Sequence, residues 1–175
     1  LWDTGHYEAR MLVAFLADPA TVTARQMDRW VADWDSWAIC DTLCFHLFDR
    51  LPDRSVAFAK IREWARSREE FVKRAAFALL ASIAGHDKLA NDELFAECFP
   101  LIERAADDER NFVKKGVSWA LRGIGHRNPG MRSAALALAE KLAKSDVATT
   151  RWIGKDAIRD LGRPIKSRTT GKSKS

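Results

Sequence analysis

Apolar residues recur along this chain three and four positions apart and almost never in strict alternation. That spacing predicts amphipathic helices and no strands. Met11, Leu12, Phe15 and Leu16 give a helix over residues 7–17, which Asp18-Pro19 stops. Thr21 or Thr23 is placed to cap a second helix, running to about residue 33 with Met27 and Trp30. A third, over 37–48, is capped by Asp35 or Ser36; Ile39, Leu43, Phe45 and Leu47 make it apolar on most sides, so it is predicted to be central. Residues 55–65 carry Phe58, Ile61 and Trp64, residues 69–84 are very apolar, and Gly85-His86-Asp87 reads as a loop. The next helix runs from Asp92 or Glu93 to 106, with Pro100 predicting a kink or a break. Asp107 or Asp108 caps a helix over 109–124, ended by Gly125 and Asn128-Pro129-Gly130. Helices over 131–144 and 148–161 complete the series.

One short pattern recurs in these helices: an aromatic followed three positions later by a base. Its copies begin at Tyr7, Phe71, Phe112 and Trp152, with Arg10, Arg74, Lys115 and Lys155 as the bases. Trp37 opens a further copy in which Cys40 and then Asp41 stand where the base would be. The aromatics are 30, 34, 41 and 40 residues apart. A drifting period of this size, filled with helices, predicts an all-α solenoid of antiparallel pairs, of the HEAT-like kind. Stacking would set the second helix of each pair side by side and place the bases along one concave face. Such a row suits a phosphate backbone. Equally, the bases could be ordinary solvated residues paired with Asp and Glu, and spacing alone leaves both readings open.

Composition narrows the choice only a little. The 175 residues make one domain's worth of chain, taken as residues 1–162, followed by a basic tail over 163–175 predicted to be disordered. That tail holds five of the 29 bases and none of the 24 acids, so the net charge of +5 belongs to it and the body is neutral. No apolar run is long enough to span a bilayer, and no membrane partner is expected. Cys40, Cys44 and Cys98 form no even disulfide framework and no metal set with His6, His46, His86 or His126. The cysteines read as small buried residues in a reducing compartment, and neither metal nor cofactor is expected. His86 and His126 each follow a glycine, a setting that more often closes a helix than catalyses.

The residues that could carry chemistry share helical faces. Trp37 and Asp41 are four apart; Lys115, Trp119 and Arg122 stand at i, i+4 and i+7. Each tryptophan has a charge on its own stripe, an unusual setting for a core indole, though packing is the usual fate of tryptophan. Asp41 is either a structural partner of Arg74 or Lys115, or a carboxylate aimed at positive charge developing in a substrate.

Trp37-Ala38-Ile39-Cys40-Asp41, Phe71-Val72-Lys73-Arg74-Ala75-Ala76 and the run Phe112 to Arg122, with Asn128-Pro129 behind it, resemble in order and spacing the AlkD-like DNA alkylation repair family. These are HEAT-like repeat glycosylases that remove positively charged N3- and N7-alkylated purines from double-stranded DNA. The resemblance implies that Trp37 and Trp119 contact the lesion's deoxyribose, that Asp41 is the catalytic carboxylate and that Arg74 contacts the backbone. Register adds Lys115, Arg122, Lys73, Lys114, Lys155 and Arg10 as further DNA contacts. The resemblance also implies hydrolysis of the glycosidic bond without a base-flipping pocket. The protein would be a monomer of the bacterial cytoplasm, associated with the nucleoid when bound to DNA. Members normally carry helices before the first one seen in this chain, so an upstream portion is expected. The family includes relatives that bind DNA without excision, so a non-catalytic binder of bent or branched DNA is the alternative, and a protein-interaction scaffold a third.

Overall fold

A computed structural model describes residues 1–163. The tail beyond Arg163, expected to be disordered, lies outside them. Ten α-helices and three short 3-10 turns make up the described residues, with no strand among them. The helices are α1 (Tyr7–Leu16), α2 (Ala24–Ala32), α3 (Trp37–His46), α4 (Arg54–Trp64), α5 (Glu70–His86), α6 (Asp92–Ala96), α7 (Phe99–Ala105), α8 (Asn111–Gly125), α9 (Pro129–Ala143) and α10 (Ala148–Leu161). None is long and apolar enough to cross a membrane.

Local chemistry sets most helix starts. Thr23 and Gln26 form a reciprocal capping box at α2. Ser36, Asp53 and Asn91 accept amide protons at the starts of α3, α4 and α6. Pro100 does break the sixth predicted helix: it stands in the first turn of α7, where its missing N–H costs nothing.

Three expectations are corrected. The third helix stops at His46 rather than continuing to 48, because Leu47 leaves helical geometry and a 3-10 turn, Phe48–Arg50, follows. Gly85-His86 is not a loop: α5 runs through both, and His86 is tied by its ring to Asp49. Asn128-Pro129-Gly130 opens α9 rather than merely ending the helix before it. The Asn128 side chain accepts from the Met131 amide at 2.9 Å, and Pro129 takes the first helical position.

Helices α1, α3, α5, α8 and α10 pack each against the next, forming one layer of aligned second helices. Helices α4, α7 and α9 back this layer on the other side. The centre is α5, whose residues from Arg74 to Ala84 are all buried. Its small side chains let α8 come close: a Cβ on Gly123 would stand 3.3 Å from the Ala81 backbone. At the far end α10 meets α9 so closely that a Cβ on Gly154 would collide with the backbone of Ala139 and Ala143. This two-layer stack, an all-α helical repeat, is the architecture the periodicity predicts.

Candidate DNA-facing cleft

Asp41 stands on the second turn of α3, with its side chain about one-fifth exposed. Arg74 reaches across from the neighbouring α5 and grips it with two parallel bonds, Nε to Oδ1 at 2.9 Å and Nη2 to Oδ2 at 2.6 Å. The remaining Arg74 nitrogen donates to the Phe112 carbonyl on α8 at 2.8 Å. Arg74 is buried, and its guanidinium lies 6.0 Å from the Phe112 ring. A guanidinium fork matches a carboxylate in geometry, so the pair fixes the orientation of Asp41. Two of the carboxylate's roughly four lone-pair directions are used, which leaves acceptor capacity for a water or a substrate.

Asp41, Thr42, Phe45, His46 and Trp119 line an open cleft of about 300 Å³. Phe45 and Trp119 lie face to face, 4.9 Å between centroids and 12° between planes. Their stack forms one wall. His46 rests against Phe15 of α1 at 4.7 Å. Trp37, one helical turn before Asp41, is 53% exposed. The structure thus brings Asp41 and Trp119 to one cleft, with Trp37 on the same helix outside its lining. Thr42, Phe45 and His46 were not anticipated from the sequence. For Phe45 the signal was present: it follows Asp41 by four and extends the Trp37–Asp41 stripe.

The expected basic residues have unequal surroundings. Lys115 and Lys155 are exposed and have no ion-pair partner among the described residues. Lys114 sits over the Trp152 ring at 5.0 Å. Lys73 is paired with Asp108 at 2.9 Å. That aspartate also accepts from Arg110, and the Arg110 and Lys73 bonds hold its carboxyl well below the usual range. Asp108 therefore acts in a cross-helix charge cluster and does not cap α8, whose N-cap is Arg110. Arg122 is held near Asp156 at 3.5 Å and Asp160 at 3.7 Å, both on α10. Arg10 bonds the Asp33 carbonyl at 3.2 Å and stacks over Trp2. The row is thus a mixture: Arg74 inside a clamp, Arg10, Lys73 and Arg122 tied to acids or carbonyls, and Lys115 and Lys155 open to solvent.

Cys40 and Cys44 lie beneath Asp41, with sulfur atoms turned to the Phe71 and Ala75 carbonyls of α5. Burial, then the neighbouring Cys40, pushes the Cys44 thiol well up. The Cys98 thiol is pushed up to about 12 by burial. These thiols pack as small apolar groups, as the sequence reading held.

The sequence pattern of the DNA alkylation repair enzyme family matches residues 1–161, nearly the whole described chain. The chain belongs to the DNA alkylation repair enzyme family. No curated protein matches it. Among solved structures, this family member superposes with a TM-score of 0.70 and 17% identity on one from a new family of proteins related to the HEAT-like repeat DNA glycosylases with affinity for branched DNA structures. The match covers 93% of this chain and 72% of that one. At that identity the likeness establishes the HEAT-like repeat fold of this repair-family chain.

Proposed function

We propose that this chain is a monofunctional glycosylase that hydrolyses the N-glycosidic bond of N3- and N7-alkylated purines in duplex DNA. The observation that carries the reading is the fixed Asp41 carboxylate at the rim of a shallow aromatic cleft, on a member of a DNA alkylation repair family. Alkylation at a ring nitrogen makes the base cationic and a good leaving group, so its departure needs no proton donor. Breaking the bond leaves an oxocarbenium-like sugar, which a preoriented carboxylate stabilises and to which it can direct water. The indole faces of Trp119 and Trp37 supply further negative potential toward that cation. A cleft this open has no walls to enclose an extruded base, which fits a reaction reached from the backbone side.

The chemistry sets a sharp selectivity. Duplexes carrying 7-methylguanine should lose the base, whereas those carrying an uncharged lesion such as uracil should not. Free-base release measured by chromatography checks this, and equal release of both would sink the cation-stabilisation mechanism. A second reading is favoured by the related solved structure, whose family is described as having affinity for branched DNA. On that reading the chain binds bent or branched DNA without excision. Tight binding of a branched junction with no purine release would support it.

A further inference from the structure

A cavity of about 530 Å³ lies beside the Asp41 cleft and is lined by Asp49, Arg50, Arg54, His86 and Asp87. At its base is Asp49, 2% exposed. One carboxylate oxygen, Oδ2, accepts from the Ser82 hydroxyl at 2.7 Å and meets His86 Nδ1 at 2.5 Å. The other, Oδ1, is buried without a partner. A carboxylate held in this way needs a donor against it, so Nδ1 of His86 carries a proton and Nε2 is the ring nitrogen left for a ligand. The His86 side chain is 52% exposed. Arg54 donates Nε to Asp87 at 2.7 Å and a second nitrogen to the Asp49 carbonyl, which fixes its guanidinium at the cavity wall. Arg50 is exposed and has no ion-pair partner among the described residues. The arrangement balances two acids with two partners, Asp49 with His86 and Asp87 with Arg54, and leaves Arg50 in excess.

We propose that this cavity is a phosphodiester-binding site for the DNA backbone, in which Arg50, Arg54 and the Nε2–H of an Asp49-supported His86 imidazolium hold one phosphate. Its location supports this. Phe45 meets the His86 ring edge-on at 5.2 Å and stacks on Trp119 with its face, so a single side chain separates the two concavities. A strand with its sugar at Asp41 and a neighbouring phosphate at His86 would straddle that one ring. The volume is far larger than a bare phosphate needs and suits one flanked by its sugars. Two arginines, Arg50 and Arg54, stand in the lining, so an anion is the fitting ligand. The groups facing His86 are Asp49 from the 3-10 turn, Arg50 and Arg54 from the turn and α4, Ser82 and Asp87 at the end of α5, and Phe45 from α3. Nε2–H donates to the phosphate beside the two guanidinium groups.

The DNA assignment rests on the DNA-binding reading above, and the test separates the two. Duplex affinity is measured for the full chain and for His86→Gln and Arg50→Ala. In parallel, the His86 ring is followed by ¹H–¹⁵N NMR while inorganic phosphate is added, with His126 as the control. Each substitution should weaken duplex binding about tenfold, the typical weight of one charge-assisted bond. Arg50→Ala should also lower the salt slope by about one. Phosphate should shift His86 and leave His126 unmoved. Variants that bind duplex as the parent does overturn the proposal. If His86 nevertheless responds to phosphate in that case, free phosphate is the ligand and the DNA assignment fails. Loss of purine release with His86-dependent duplex binding intact would sink the glycosylase reading and leave this site standing.

Discussion

Asp41 and Arg74 act as one electrostatic unit, because the guanidinium contacts both carboxylate oxygens. A sugar cation about 4 Å from the carboxylate gains about 4 kcal/mol at an effective dielectric of about 20; the guanidinium behind it, roughly 7 Å away, takes back about 2 kcal/mol. In the proposed reaction the pair would therefore favour the transition state by about 2 kcal/mol, less than an isolated carboxylate would. What Arg74 supplies in return is orientation and a reason for Asp41 to stay in place. Substituting Asp41 alone strands a buried guanidinium. Asp41→Asn should thus cost about 3 kcal/mol of stability, and Asp41→Asn combined with Arg74→Gln should cost less. Denaturant midpoints check this; a single variant as stable as the parent would mean that the pair does not hold α3 to α5.

At the scale of the elements, Gly154 is the glycine with the closest neighbours among those described. A Cβ there would stand 2.3 Å from the Ala143 nitrogen, and neither backbone can yield without moving α9 or α10. Gly154→Ala should destabilise the fold by about 3 kcal/mol, read as a lower melting temperature; Gly85→Ala, with nothing within 4 Å, should not. The helices themselves were legible because each rests on local signals: Thr23 with Gln26, Pro100, and the apolar spacing of residues 148–161. The repeat period carried the layer of second helices in the same way. What misled was chemistry completed by distant residues. Gly85-His86 read as a loop because the bond from His86 to Asp49, 37 positions away, is invisible locally. Asp108 looked like a cap because Lys73, 35 positions away, could not be seen to share it. The basic row was over-read for the same reason. Register places Arg74, Lys115 and Lys155 equivalently, but only the partners show that Arg74 is inside a clamp while the lysines face solvent.

For the whole molecule, those partners reduce the number of cations available to DNA. Lys115, Lys155 and Lys114 are the members of the predicted row least committed to acids. With about three phosphate contacts from them, the logarithm of affinity should fall with the logarithm of salt at a slope near −3, before any share from Arg50 or the tail. Lys115→Glu with Lys155→Glu should abolish most of that slope, measured by fluorescence anisotropy; an unchanged slope would place the DNA on another face. The measurement that reaches the account most directly is single-turnover release of 7-methylguanine from duplex DNA by the parent, by Asp41→Asn and by Asp41→Asn with Arg74→Gln. Each protein is first shown to be folded and bound to DNA. Losing the attraction while keeping the guanidinium's repulsion should slow Asp41→Asn about 10³-fold, and removing both charges should slow the double variant only about 30-fold. Excision by Asp41→Asn at the parent's rate would contradict the account.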